Sequence, residues 1–200
     1  MKTTMTKMKT LFMYSVLISM LSIAIGCNDD DVPPLENEEE VIDLVRVTFS
    51  AEGKTPVVFT ASDADGEGPE EFTIQRITLE SNTTYTLSIE IENTVVGEDI
   101  TEEVDEEGEE HLFLFAWNEG AFTSPSGDGN IDNRTDPINY NDEDASGEPL
   151  GLSTTWTTGD AASGGYFRTV LKHQPDIKSS TSGFQDGETD IDLIWDLVIL

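Results

Sequence analysis

The chain has 200 residues, 36% of them hydrophobic, a single cysteine and a formal net charge of −31. This charge excludes nucleic acid as a partner, because phosphate contacts require clustered lysine and arginine. One cysteine excludes an intrachain disulfide, and the acidic surface favours cations. The length predicts one folded domain once any targeting segment is removed.

The first 26 residues are predicted to be a lipoprotein signal peptide. Lys2, Lys7 and Lys9 give a basic start, residues 11–25 form a 15-residue stretch without charge, and small residues precede Cys27. The cleavage region resembles a lipobox, with Ala24 where leucine is commoner, and this resemblance implies lipidation of Cys27. A single-pass anchor is the alternative, although a spanning helix needs about 20 apolar residues.

Residues 27–40 are predicted to be the lipidated cysteine and a disordered acidic tether. The segment is rich in Asp, Glu and Pro and poor in apolar residues, so it does not bury a core. The acidic run after Cys27 resembles the surface-export signals of Bacteroidota lipoproteins. That resemblance implies a lipid-anchored position at the outer membrane, on the cell surface. An ordinary linker is the alternative interpretation.

Residues 41–200 are predicted to form one β domain. Apolar and polar side chains alternate in residues 83–91. In residues 191–199 an apolar side chain occupies every second position, from Ile191 to Ile199. Both patterns are typical of half-buried strands. Segments 42–50, 56–61, 71–79, 111–117, 150–158 and 166–173 are rich in residues that strands prefer. Clusters of Gly, Pro, Asp and Asn separate these segments as turns.

About eight short strands in succession predict an all-β fold, namely an antiparallel, Ig-like β-sandwich, with a closed barrel as the alternative. Residues 98–110 interrupt the strand pattern. Ile100 and Val104 lie four residues apart there, which predicts one short helix with an apolar face. The aromatic residues expected in the core are Phe49, Phe59, Phe72, Tyr85, Phe113, Phe115, Trp117, Trp156, Phe167 and Trp195.

An acidic loop at residues 126–137, SGDGNIDNRTDP, predicts a calcium site. Asp128, Asn130 and Asp132 alternate and Asp136 follows, so their oxygen atoms can converge on one hard cation. The series resembles the start of an EF-hand loop. It departs from that pattern at Asn133 in place of glycine, and it lacks the final bidentate acid. A polar hairpin loop is the alternative.

The two histidines predict a transition-metal site. His111 follows Glu109 and Glu110 at the start of an apolar strand, and His173 ends another strand. Zinc and copper prefer imidazole nitrogen, with carboxylates completing the coordination shell. The site forms only if the two strand ends meet. Packed or hydrogen-bonded histidines without a metal are the alternative.

Enzyme activity is not predicted. The sequence lacks a Gly-x-Ser-x-Gly elbow, a phosphate-binding glycine loop and an HExxH motif. Paired carboxylates would permit a glycosidase, but an acidic chain offers such pairs without any catalytic role.

Several stretches together resemble a group of small, acidic Bacteroidota lipoproteins. They are the acidic run after Cys27, the loop at 63–69, LESNTTYTLSIEIEN, EDITEEVDEEGEEH, GEPLGLSTTWTTGDAASG, LKH with the following Gln174 and Pro175, and GETDIDL. Such proteins are often labelled periplasmic-binding-fold proteins, a label that implies alternating strands and helices over a longer chain. The strand pattern opposes it. Similar lipoproteins accompany TonB-dependent receptors, which implies uptake of a metal or metal complex.

These observations predict a surface-exposed, membrane-anchored accessory module that binds a divalent metal (zinc, copper or calcium) or its complex for a TonB-dependent receptor. The alternative is a structural or adhesion module without a small ligand, and a hydrolase is the third class.

Overall fold

A computed structural model of the chain describes residues 41–63 and 72–200. The predicted signal peptide, Cys27, the acidic tether and residues 64–69 of the acidic loop lie outside the described residues. The strands within the described part are β1 (Leu44–Ser50), β2 (Val57–Ser62), β3 (Thr73–Ile74), β4 (Ile77–Leu79), β5 (Thr84–Asn93), β6 (Glu98–Asp99), β7 (His111–Trp117), β8 (Phe122–Ser124), β9 (Ser153–Thr158), β10 (Ala162–His173) and β11 (Glu188–Ile199). Within the same described residues there is one helix, α1, which covers Ile100–Glu106. The predicted all-β class with one short helix is confirmed.

The strands form two sheets. In the larger sheet the order is β3-β2-β1-β5-β9-β8, with β6 beside β5, and in the smaller sheet it is β4-β11-β10-β7. Neighbours are antiparallel except β4 and β11, which run parallel. The sandwich-like arrangement agrees with the alternation seen in the sequence.

Aromatic side chains from both sheets fill the space between them. Trp117 of β7 packs edge-on against Trp156 of β9 with ring centroids 5.0 Å apart. Phe167 of β10 packs against Phe49 of β1 at 6.3 Å. Eight of the ten predicted core aromatics are buried, while Phe59 and Phe72 are partly buried at its edge. Such pairs stabilise the fold beyond the area they bury.

Strand boundaries differ from the prediction in several places. The segment 71–79 forms two short strands in different sheets, β3 and β4, because the chain crosses between the sheets at Gln75 and Arg76. The short strands β6 and β8 have too few residues to show a period-two pattern. Strand β10 begins at Ala162 rather than at residue 166, β9 begins at Ser153 rather than at residue 150, and β11 begins at Glu188 rather than at residue 191.

The outer face of β7 is covered by the segment 125–141. Leu112, Leu114 and Val170 form a second, small apolar cluster there, against which Ile131, Tyr140 and Phe184 pack. Strand β7 is therefore buried on both faces. Among the described residues, no helix is long and apolar enough to span a membrane.

Candidate metal centre

His111 and His173 meet across the β7–β10 pair. They are directly opposite each other in the antiparallel register, at the first residue of β7 and the last of β10. Their rings stack with centroids 4.7 Å apart and planes 11° from parallel. Both are buried, at 0% and 8% exposure. The sequence prediction that these two histidines belong to one site depends on this contact, and the structure provides it.

Both histidines belong to the inward row of β7 and β10. His111 precedes Phe113, Phe115 and Trp117 at every second position, so it lies at one end of the apolar core. Buried imidazoles lose their hydration, so such a position is costly unless the ring nitrogens bind a partner.

Glu107 supplies a third ligand group, which the sequence analysis did not identify. One ligand atom each from Glu107, His111 and His173 can be chosen so that all lie within 4.8 Å of one another. Within residues 41–63 and 72–200 this is the one group of three or more His, Cys, Asp or Glu side chains that meets this criterion. The Oε2 atom of Glu107 is buried and has no hydrogen-bond partner in the structure. A buried carboxylate oxygen in that state favours a cation nearby.

The chain brings Glu107 to the histidines through α1. Asp99 caps the helix by accepting a hydrogen bond from the Thr101 backbone N–H at 3.0 Å. Ile100 and Val104 bury one face of α1 in the core. The helix ends at Glu106, and the Glu110 N–H donates to the Glu107 carbonyl at 2.8 Å. This turn leads directly into β7, so Glu107 lies one turn before His111.

The tautomer of His111 suits metal binding. Its Nδ1 lies 3.2 Å from the Glu107 carbonyl oxygen, which can only accept, so Nδ1 carries a proton. In the neutral ring the lone pair then resides on Nε2, which is buried in the site. Metal-binding histidines commonly donate their second ring N–H to a carbonyl or carboxylate in this way, which fixes the orientation of the ring.

Glu110 and Glu109, the predicted carboxylate ligands, differ in position. Glu110 Oε2 is 3.4 Å from His173 Nε2, and its side chain is 40% exposed. Glu110 therefore orients His173 and links the site to solvent. Glu109 is turned towards another loop, where its Oε1 accepts a hydrogen bond from the Ser146 hydroxyl at 2.5 Å. Glu109 is not part of the group that surrounds the histidines.

A buried ion pair supports the turn that carries Glu107 and Glu110. Lys178 Nζ lies 2.7 Å from Asp144 Oδ2, and both side chains are 1% exposed. The same ammonium donates to the Gly108 carbonyl at 2.6 Å. Burial acts to raise the pKa of Asp144, but hydrogen bonds from Lys178 and two backbone N–H groups outweigh it and lower that pKa. Burial lowers the pKa of Lys178, although its partner Asp144 acts to raise that pKa.

Gln174 supports the other half of the site. It follows His173, is fully buried, and its N–H donates to the Glu110 carbonyl at 2.6 Å. Its side-chain amide donates to the Gly183 and Asp186 carbonyls at 3.0 and 3.1 Å and accepts from Ser182. The loop after β10 is thereby folded against the strand end, which restricts the backbone at His173.

The predicted calcium residues lie on the segment that covers β7, away from the histidines. Asn130 is fully buried: its Oδ1 accepts from the Phe115 N–H at 2.9 Å, and its Nδ2 donates to the Tyr140 hydroxyl at 2.9 Å. That amide attaches the covering segment to β7 and is therefore not directed into a loop site. Asp136 accepts from Asn133, while Asp128 and Asp132 are exposed. The structure does not bring these four residues together as ligands, and the calcium site stays a prediction.

Three protein ligands of this kind form an open coordination site. Around tetrahedral zinc, with bonds of about 2.1 Å, ligand atoms lie about 3.4 Å apart, so modest side-chain rotations close this group around an ion. Two histidines and one carboxylate leave the fourth position for water or an incoming ligand. Closed structural zinc sites use four protein ligands, so this arrangement is suited to an exchangeable ion.

Comparisons with protein-family models, with curated proteins and with solved structures found no match.

Proposed function

We propose that this protein binds a transition-metal ion, zinc or copper, through Glu107, His111 and His173. The observation that carries the proposal is the convergence of these three side chains within 4.8 Å at a buried strand end. Imidazole nitrogen is the preferred ligand of zinc and copper, whereas calcium and magnesium prefer an all-oxygen shell. The two stacked histidines therefore favour the transition metals over the alkaline earths.

The ligand set also supports reversible capture. Its fourth position is open, and Glu110, at 40% exposure beside His173, provides a carboxylate through which an ion can enter. The formal net charge of −31 attracts cations to the protein surface. A module of this kind delivers an ion rather than storing it permanently.

The cellular role that we propose is based on the N-terminal sequence and on the family resemblance. Anchored through a lipid on Cys27 and exposed at the cell surface, the domain would present its metal to a TonB-dependent receptor for uptake. The basic start, the uncharged stretch and the small residues before Cys27 support the anchor, and the family resemblance supports the receptor. Incorporation of a radiolabelled fatty acid in cells, with Cys27→Ala as the control, tests the anchor separately from the metal site.

The metal proposal is tested by isothermal titration of the full chain, reduced and freed of metal by chelator, with Zn²⁺, Cu²⁺, Ca²⁺ and Mg²⁺. We expect one site with saturable zinc or copper binding that Ca²⁺ and Mg²⁺ do not displace. At 100 times the dissociation constant the metal should raise stability by about 2.7 kcal/mol.

Two variants of matched chemistry make the test specific. Glu107→Gln removes the ligand charge and should weaken binding at least about tenfold, which is about 1.4 kcal/mol. Glu109→Gln changes the neighbouring carboxylate that faces Ser146 and should bind like the parent. A His111→Gln, His173→Gln double variant reports any ion held by Cys27 alone. Equal affinity in Glu107→Gln and parent would contradict the site, and the absence of any metal binding would favour the structural or adhesion module.

A further inference from the structure

A cavity of about 650 Å³ lies where β7 ends and β10 begins. The metal centre lies where β7 begins and β10 ends. Six residue steps along β7, at about 3.4 Å each, place the two sites about 20 Å apart, at opposite ends of the same strands. The cavity has the size of a small-molecule site, which is typically about 300–1,000 Å³.

The floor of this cavity is apolar. Leu197 and Ile199, from the inward row of β11, lie there together with Ala121. All three are buried, so the floor continues the core of the sandwich towards solvent. An apolar floor of this kind takes up hydrocarbon groups from water.

The walls are formed largely by residues without bulky side chains. Gly120 and Gly164 have φ angles of +83° and +85°, and a Cβ at either would meet open space. At Gly159 a Cβ would lie 2.4 Å from the Gly120 carbonyl oxygen, so only glycine allows the two turns to touch there. A β-bulge between Ser163 and Gly165 displaces β10 at this point. Bulges of this kind often occur beside binding sites.

The turns around the cavity are held in place before any ligand arrives. The Gly159 N–H donates to the Ala121 carbonyl at 2.8 Å, and the Asn82 N–H donates to the Gly159 carbonyl at 3.1 Å. Asn118 Oδ1 accepts from the Tyr166 N–H at 2.5 Å. A site built on such fixed loops loses little entropy when it binds.

The rim is polar and carries only negative charge. Glu119 and Asp160 provide two carboxylates, and Asn82, Asn118 and Thr123 provide amide and hydroxyl groups. No Lys, Arg or His is among the lining residues of this described cavity. Both acidic residues are exposed, so they stand at the mouth of the cavity. An anion would meet unfavourable charge here, whereas an ammonium group would meet two carboxylates.

From the apolar floor, the glycine walls and the carboxylate rim we infer that this cavity binds a small organic cation: an amine whose hydrocarbon part lies on Leu197 and Ile199 and whose ammonium group lies between Glu119 and Asp160. This inference is independent of the metal proposal, because the two sites share no residue.

The test uses three probes of similar size on the full chain in excess chelator: phenethylammonium, 2-phenylethanol and phenylacetate. Binding is followed by ligand-detected NMR and isothermal titration. Phenethylammonium should bind at least about tenfold more tightly than the alcohol, a difference of about 1.4 kcal/mol, and phenylacetate should not bind. Because chelator removes metal, failure here does not bear on the metal centre, and failure of metal binding does not bear on this cavity.

Variants locate the site. Asp160→Asn and Glu119→Gln should each reduce the preference for the ammonium over the alcohol, and together they should remove it. Ala161→Trp fills the cavity and should abolish binding of every probe, while Glu98→Gln on the β5–β6 hairpin should change nothing. Equal binding of alcohol and ammonium would overturn the charge assignment. Unchanged binding in Ala161→Trp, or no binding of the ammonium to the parent, would overturn the site.

Discussion

The buried ion pair between Lys178 and Asp144 makes a sharp prediction about stability. Replacing Lys178 by Met leaves the Asp144 carboxylate at 1% exposure with only backbone donors, and removes the bond to the Gly108 carbonyl. Breaking one side of a buried pair costs about 3–5 kcal/mol. For a domain of this size each kcal/mol corresponds to about 3 °C, so the melting temperature should fall by about 10 °C at pH 7.

The loss should depend on pH with a defined sign. In the parent the pKa of Asp144 lies below its ordinary value of 3.8, so the pair stabilises the fold above that pH and loses its effect as the pH falls through the folded pKa. Without Lys178, desolvation is opposed only by the Ser146 and Glu148 backbone N–H groups, so the pKa of Asp144 should rise above its ordinary value. The folded variant then takes up a proton more readily than the unfolded chain, and the stability difference from the parent narrows between pH 7 and pH 5.

Urea unfolding, followed by the fluorescence of the buried tryptophans, measures both effects. Lys54→Met is the matched control: the side chains of its pair with Glu80 are 38% and 64% exposed, so solvent screens the pair and its loss should be far smaller than that of Lys178. Adding Asp144→Asn to Lys178→Met removes the uncompensated charge while Oδ1 can still accept from Ser146 and Glu148. The double variant should therefore be more stable at pH 7 than Lys178→Met alone. A loss under 1 kcal/mol for Lys178→Met, or one that is equal at pH 7 and pH 5, would refute the reasoning.

Three further predictions concern buried polar groups and backbone. Burial raises the pKa of Tyr140 to about 12. Absorbance titrations of the parent and of Tyr140→Phe should therefore agree up to about pH 11. The stability that this hydroxyl contributes is present below about pH 10 and is lost as the pH rises towards 12. Gly129→Ala places a Cβ 2.1 Å from the Phe115 carbonyl oxygen at φ +120°, and should cost at least about 2 kcal/mol in urea unfolding; a near-neutral result would mean that the covering segment is not fixed to β7. Asp43→Ala removes the acceptor for two N–H groups and the Thr94 hydroxyl, at 2.8–3.0 Å, and should speed hydrogen exchange at Thr94 over the parent.

Much of the fold was predictable because inward-facing apolar residues occupy every second position of its long strands. Segment 83–91 predicted β5 almost to the residue, and segment 111–117 agrees with β7 at both ends. The helix was predicted within 98–110 from the spacing of Ile100 and Val104, and those two residues are buried in the core. Short strands such as β6 were not predicted because two residues are too few to show an alternating pattern.

The metal centre was predicted in part. The strand ends that carry His111 and His173 were identified, but the meeting of these two residues depends on the β7–β10 register, which pairs distant parts of the chain and is decided by packing. Glu107 was missed because the acidic run 102–110 offers many carboxylates of equal appearance. Its distance of four residues before His111, across a turn at the helix end, is the signal that singles it out.

The parallel pairing of β4 with β11 bears on how the protein acquires its structure. Strand β11 lies between β4 and β10, so the smaller sheet has no centre until residues 188–199 are available. Its register joins residues 77–79 to residues 197–199, a separation that makes the contact slow to form. A chain that ends before residue 188 would leave β4 without its partner in the smaller sheet and β10 paired with β7 alone, so the aromatic core would stay open to chaperones and proteases.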